Sequence, residues 1–430
     1  MNKVKVKNII IAEKIYIDKL GVESVGDLQA AYTYVNGTEL LSTLEESDTH
    51  FIVPSNSYHK LEWETLDDRR IYKKLDKTLL FSGMLRPEQS EAVEKLFIPN
   101  SDRARSGLLQ APTGWGKTFS GCNLIARNNT KTLVLVHTKL LFDQWLSEAE
   151  KQLPNAIIGK IGDGFYSIGD VTIAIYKTVY NNLDKLRDEF STILIDETHK
   201  APADMFSSVV NNLNARVKIG ISATPRRKDG KHVYLADFFS PFKVVAEDSR
   251  ILATPMVQIK QTDFKFTIIN PKQDWAKAIN KLCSDDSYIN LIAETAISYI
   301  KQKRCPLIIA ERVQMLETLQ TLIPDSVCVI GKTSSEERED ALEGLGTKYK
   351  AILTTKLFDE GISCNRLDTL LLTCPSNNSV QWEQRIGRIV RLHPDKQLPL
   401  VVDFWLSGAI VSRQQKNRLA WYTERGYNIL

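Results

Sequence analysis

Apolar positions along this chain follow three rhythms. Between Arg86 and about Phe242, short β-branched runs at 131–136, 171–175, 192–195 and 217–221 alternate with stretches of helical periodicity. Continuous apolar runs separated by helices mark a parallel sheet covered on both faces. A second such set follows at 306–310, 326–330, 351–354, 369–372 and 399–402. Residues 1–78 instead mix strand-like stretches (4–11, 51–53) with helical ones (25–32, 39–44), joined by Gly and Asn turns. The predicted class is α/β: two tandem parallel-sheet domains, 79–245 and 246–430, after a small α+β domain over 1–78. The stretch 240–266, with Pro241, Pro255 and little helical periodicity, predicts the linker.

Composition narrows the class. The chain has 430 residues, 43% hydrophobic and 25% charged, which suits packed globular cores and excludes a disordered chain. Its six Cys contain no C-x-x-C pair, so neither a zinc site nor a disulfide framework is indicated, and a reducing cytoplasm, bacterial or in a phage-infected host, is expected. The apolar patch 9–12 is broken by Glu13 and Lys14 too early for a signal peptide. No apolar run approaches the roughly 18 residues of a membrane span, so no membrane partner is expected. The net charge is only +4, so any nucleic-acid face must come from local arrangement. Residues 1–80 hold 11 Lys and Arg against 13 Asp and Glu, which puts the positive excess downstream.

One loop carries recognisable chemistry. The apolar Leu108-Leu109-Gln110 leads into Ala111-Pro112-Thr113-Gly114-Trp115-Gly116-Lys117-Thr118, and a helical stretch follows. A Gly-rich turn at a helix start aims successive backbone N–H groups at one point, which suits a triphosphate. Lys117 is placed to reach the β- and γ-phosphates of ATP, and the Thr118 hydroxyl to ligate Mg²⁺. A second strand, Ile193-Leu-Ile-Asp196-Glu197, ends in two acids where open α/β sheets bind their ligands. There Asp196 is expected to hold Mg²⁺ and Glu197 to act as general base on the attacking water.

The run Asp196-Glu197-Thr198-His199 resembles the Asp-Glu-x-His box of superfamily 2 helicases and translocases, whose other motifs appear in order across residues 85–391. This resemblance implies two RecA-like domains. It also implies that Gln89 of Leu85-Arg86-Pro87-Glu88-Gln89 reads the adenine edge, with Arg86 packing on the ring. Ser222-Ala223-Thr224, partnered by His199, would couple the nucleotide state to domain movement. Gln384-Arg385-Ile386-Gly387-Arg388-Ile389-Val390-Arg391 matches the family's last motif. Arg388 and Arg391, three apart on one helix face, would be arginine fingers reaching the γ-phosphate across an interdomain cleft.

The same resemblance assigns nucleic-acid contacts, mostly to the backbone: Thr138, Lys139, Gly162 and Thr178 in the first domain, and Arg312, Gly331 and Thr355 in the second. Gly361 belongs to a nucleotide-contacting motif in which the family often has Asp where this chain has Ser363, so nothing is carried to Ser363. The basic run Arg226-Arg227-Lys228 is the expected contact with duplex at a fork. The layout most resembles phage branch-migration helicases of the UvsW kind and, more distantly, XPB. That implies an ATP-dependent DNA helicase or translocase acting on forked and four-way DNA in recombination, repair or replication. An RNA helicase, or a DNA translocase or clamp that does not unwind, is the alternative. Oligomeric state, a monomer included, and protein partners stay open.

Overall fold

The computed structural model describes residues 3–36, 39–112, 114–198, 203–223, 235–247, 253–268, 271–355, 364–390 and 396–430. Backbone contacts divide the chain into two compact units, Met1–Ser249 and Arg250–Leu430.

The first unit contains a small five-stranded sheet, a two-stranded one and a larger eight-stranded one. The small one has the strand order Glu45–Glu46, His50–Pro54, Lys14–Asp18, Val4–Ile11, Leu61–Asp68. In Val4–Ile11 the side chains of Val4, Val6, Ile9 and Ile11 are buried in its core, together with Leu28 of the helix Val25–Ala31. That helix starts where the Ser24 hydroxyl accepts from the Asp27 N–H. The helix expected over 39–44 is instead a strand, Glu39–Ser42, paired antiparallel with Thr33–Asn36. Period two wins there because Leu41 packs with Tyr34 against the core of the larger sheet while Leu40 faces solvent.

The larger sheet runs Phe165–Ser167, Ile158–Gly162, Val171–Ile175, Thr132–Val136, Thr192–Asp196, Val217–Ser222, Gly107–Gln110, Lys243–Val245. Every pairing in it is parallel except that of the edge strand Phe165–Ser167. Val134, Leu194, Ile219 and Leu109 fill one face, and Leu135, Ile193 and Ile195 the other, which is why these strands read as unbroken apolar runs.

Polar groups join the small sheet to the larger domain. Asp237 accepts hydrogen bonds from the Tyr34 and Thr43 hydroxyls at 2.5 and 2.8 Å and pairs with Lys60 at 2.7 Å. The Lys218 ammonium donates to Ser55 Oγ and to the Val210 carbonyl. Glu13 pairs with Arg187.

The second unit is built on an all-parallel sheet ordered Ser326–Val329, Ala351–Thr354, Pro306–Ile309, Thr369–Leu372, Leu400–Ser407, Met256–Lys265, Asn428–Ile429. The stretch expected as the linker, 240–266, contains the division at Ser249–Arg250 but is also largely strand: Lys243–Val245 is the edge strand of the first parallel sheet, and Met256–Lys265 is an interior strand of the second. Its lack of helical periodicity reflects strand alternation rather than loop. Behind this sheet Arg418 holds Asp403 with two hydrogen bonds of 2.7 and 2.6 Å, both groups buried. Among the described residues no helix is long and apolar enough to cross a membrane.

Candidate nucleotide and nucleic-acid site

Parallel strands gather the expected residues at one edge of the first sheet, the carboxyl ends. The strand Gly107–Gln110 releases the chain into Ala111 and Pro112, and the helix Lys117–Asn128 begins at Gly116. Gly114 and Gly116 take φ of +76° and +94°, conformations open to glycine. A Cβ at Gly116 would also lie 2.5 Å from Gln89 Nε2. Gln89 is buried, and its amide is engaged at both ends: Oε1 accepts from the Arg86 N–H and Nε2 donates to the Trp115 carbonyl at 2.7 Å. Arg86 donates to the same carbonyl. These two residues therefore grip the back of the loop. The Trp115 ring is buried, with its N–H on the Glu247 carbonyl.

Inside the cradle, Lys117 Nζ lies 3.5 Å from both the Ala111 carbonyl and Glu197 Oε1. Asp196 ends its strand almost wholly buried. One of its oxygens accepts the Trp145 indole N–H at 2.8 Å and the other the Glu197 backbone N–H at 2.9 Å. Burial, and after it the Glu197 carboxylate, raises the Asp196 pKa to about 6, against the lowering pull of Lys117 and of the Trp145 hydrogen bond. Glu197 itself sits at φ +50°, uncommon for a residue with a Cβ. Ser222, at the end of the next strand, reaches Glu197 Oε2 at 3.5 Å. The Thr118 hydroxyl accepts from Gln144 at 3.4 Å, and Gln144 Oε1 is buried with no partner among the described residues.

This donor set fits a magnesium nucleotide. A carboxylate that burial discourages from ionising gains from a divalent cation, and a hydroxyl beside it offers the hard oxygen ligand that Mg²⁺ takes. Lys117 and the N-terminus of the helix Lys117–Asn128 supply the charge for phosphates.

The other half of the same edge holds the expected strand contacts. Gly162 ends the strand Ile158–Gly162, and Thr138 and Thr178 follow the nearby strands Thr132–Val136 and Val171–Ile175 on the same edge. They are not simple loop residues. The Thr138 hydroxyl caps the helix Lys139–Gln152 by accepting from the Leu141 N–H, and Thr178 lies within the short helix Tyr176–Tyr180. Lys139 is exposed and paired with Asp163 at 2.6 Å.

In the second unit Arg312, Gly331 and Thr355 likewise follow three adjacent strands, Pro306–Ile309, Ser326–Val329 and Ala351–Thr354. Arg312 donates to Asn280 at 2.7 Å, and Arg338 donates to the Gly331 carbonyl at 3.4 Å. The helix expected to carry both arginine fingers, Ser379–Ile386, stops before Arg388, which lies buried in the turn that follows. Gln384 is buried, with Oε1 lacking a partner among the described residues. Thr113, His199, Thr224, Arg226, Arg227, Gly361 and Arg391 lie outside the described residues. Sequence reasoning overlooked Gln144 and Trp145, because on the apolar face Leu141, Phe142, Trp145, Leu146, Ala149 an indole reads only as core.

Comparison with known proteins adds the lineage. The family model described as type III restriction enzyme, res subunit, matches residues 82–227, and the helicase conserved C-terminal domain matches 288–393. A probable helicase D10 of Escherichia phage T5 is 28% identical over 75% of this chain and 73% of its own length. The DNA 3'-5' translocase XPB2 of Sulfurisphaera tokodaii is 23% identical over 74% of this chain and 80% of its own. A putative ATP-dependent RNA helicase L396 of Acanthamoeba polyphaga mimivirus is 23% identical over 86% and 74%. Among solved structures, S. cerevisiae Dbp5 bound to RNA and ADP BeF3 superposes with a TM-score of 0.58 at 14% identity, over 80% of this chain and 89% of that one, which makes the two parallel-sheet domains tandem RecA-like folds. With helicase models matched in both units, in the order in which the motifs run along the sequence, the chain belongs to the superfamily 2 helicases and translocases.

Proposed function

We propose that this protein is a Mg²⁺- and ATP-dependent DNA motor that unwinds or branch-migrates forked and four-way DNA. The observation that carries this reading is the division of one sheet edge. Its half at Gly107–Gln110, Val217–Ser222 and Thr192–Asp196 presents the Lys117–Glu197–Asp196 cluster, and its half at Thr132–Val136, Val171–Ile175 and Ile158–Gly162 presents Thr138, Thr178 and Gly162. Nucleotide chemistry and strand contact then share one rigid element.

In this reading Lys117 holds the terminal phosphates, and Arg86 and Gln89 fix the loop that cradles them. Thr118 and Asp196 hold Mg²⁺, which neutralises charge on the transferring phosphoryl group. The Glu197 carboxylate accepts the proton of the attacking water, and its hydrogen bond with Ser222 ties that step to the next strand. Arg388 and Arg391 supply positive charge to the same phosphoryl group, and Gln384 offers it a neutral amide donor. Thr138, Lys139, Gly162 and Thr178, with Arg312, Gly331 and Thr355, hold strand phosphates without reading bases. The Asp-Glu-Thr-His box and the likeness to a DNA translocase favour DNA; the RNA reading draws on relatives named RNA helicases.

The test compares wild type with Lys117→Ala and Glu197→Gln on ATP turnover and on unwinding of forks, four-way junctions, linear duplexes and RNA duplexes. Both variants are expected to lose turnover by about a hundredfold or more, with Glu197→Gln still binding ATP. Wild-type hydrolysis in either folded variant removes the site assignment, and unwinding restricted to RNA duplexes removes the DNA reading.

A further inference from the structure

At the opposite edge of the first parallel sheet, where strands begin, a cleft of about 490 Å³ opens against the N-terminal module. Val217 and Ser106 lie on its floor, so it stands one strand length from the nucleotide edge, roughly 17 Å along Val217–Ser222. Its walls carry Arg70, Arg103, Arg105 and Arg216 against the single carboxylate of Asp68. Four guanidiniums facing one carboxylate leave three positive charges in excess.

The pairing among these groups is uneven. Asp68 is taken by Arg70, through two hydrogen bonds of 2.8 Å, and by Arg216 at 3.2 Å. Arg103 and Arg105 pair with no carboxylate among the described residues. Arg103 lies over the Tyr72 ring at 5.8 Å, and Arg105 over Phe242 at 4.5 Å with one nitrogen on the Phe97 carbonyl. Arg105 Nε is buried without a partner among the described residues. Beside them Tyr58 and Trp63 meet edge to face at 6.4 Å, both half-buried on the cleft wall.

Guanidinium forks match phosphate oxygens in pairs, and aromatic faces accept any base. An acidic peptide would satisfy the charges but leave the rings unused. We propose that this cleft holds a second nucleic-acid segment, a strand or arm of a branched substrate separate from the one at the strand carboxyl ends. Phosphates lie against Arg103, Arg105 and Arg216, and a base lies against Tyr58 and Trp63. This inference rests on the nucleic-acid motor reading. It gives the near-neutral N-terminal module a way to sense a branch, by closing one wall of a cationic cleft whose other wall belongs to the motor.

The experiment uses the full chain with Arg103→Gln/Arg216→Gln, and measures equilibrium binding of a forked DNA and of a single-stranded oligonucleotide over a range of salt. The double variant is expected to bind the fork about tenfold more weakly, with the slope of log affinity on log salt reduced by about two. Hydrolysis stimulated by the single-stranded oligonucleotide should stay at the wild-type level. Should the double variant fold poorly, Arg103→Gln alone carries the test with a slope change of about one, and Arg103→Lys should restore the slope. Unchanged fork affinity and slope overturn the proposal, as does a poly-glutamate peptide that binds wild type as tightly as the fork and loses that binding in the double variant. A wild-type protein whose hydrolysis no nucleic acid stimulates would instead defeat the motor reading, a separate outcome.

Discussion

The Trp145 indole N–H donates to the Asp196 carboxylate across 2.8 Å, from a helix whose first residues, capped by Thr138, belong to the proposed strand-contacting edge. The same helix sends Gln144 to the Thr118 hydroxyl. One rigid element thus touches both proposed magnesium ligands and begins at the proposed DNA track. A displacement of its N-terminus by nucleic acid would be felt at Asp196 within two turns of helix.

Trp145→Phe removes the donor and keeps an aromatic side chain, at the cost of a small void where the larger indole stood. The Asp196 carboxylate then loses one of the interactions that oppose the upward push of burial on its pKa. Partners that orient a metal ligand are typically worth 10- to 100-fold in affinity. The variant should therefore need about tenfold more Mg²⁺ for half-maximal hydrolysis, while keeping a cooperative fold of lower stability. A Mg²⁺ titration that overlays wild type would show the indole N–H to be a packing accident.

Gly121→Ala attacks the same contact from behind. The added methyl would lie 2.5 Å from the Trp145 ring, which is fully buried and has no free direction in which to move. Alanine gains about 1 kcal/mol of helix propensity over glycine, but overpacking a core costs about 1–3 kcal/mol. The clash wins, so the denaturation midpoint should fall and the Mg²⁺ requirement should rise with it. A more stable variant would mean that the ring adjusts freely.

The nucleotide half of the site was legible in the sequence because its chemistry requires fixed residue types at fixed spacing, as in Gly114, Gly116, Lys117 and Thr118. The parallel strands were legible because burial on both faces leaves unbroken apolar runs. What stayed hidden depends on pairs far apart in sequence: Trp145 with Asp196, or Asp237 with Tyr34, Thr43 and Lys60, carry no local pattern. Two short elements misled for a physical reason. Glu39–Ser42 has apolar residues that fit either period until a partner strand decides, and Met256–Lys265 lies beyond Pro255, which reads as a breaker but here only precedes a strand.

Asp237 is the joint between the N-terminal module and the motor, fully buried and facing a Lys60 side chain only 14% exposed. Asp237→Ala leaves that ammonium without its counter-charge, which for a buried pair costs about 3–5 kcal/mol. The module should loosen, and trypsin should cut the connecting stretch at Arg69, Arg70 or Lys73 at least tenfold faster than in wild type. Adding Lys60→Met should recover part of the resistance by removing the stranded charge. Cleavage at the wild-type rate in Asp237→Ala would place the joint elsewhere.

Lys218 lies in the same junction with its ammonium buried, donating to Ser55 and the Val210 carbonyl. Burial, aided by the nearby charge of Arg70 and opposed by Glu13, lowers its pKa from 10.5 to about 7. Above pH 10.5 the lysine is neutral in both folded and unfolded chains, and no penalty applies. Between about 7 and 10.5 the unfolded chain holds a proton that the folded chain releases, so stability rises with pH by up to about 1.4 kcal/mol per unit. Below 7 the lysine is charged in both states and the full cost of burying it stands. Lys218→Met removes this dependence while filling a similar volume. Denaturant unfolding at pH 7 and pH 9 should therefore show wild type gaining on the variant as pH rises. Parallel pH profiles for the two proteins would mean that Lys218 keeps an ordinary pKa in the folded state.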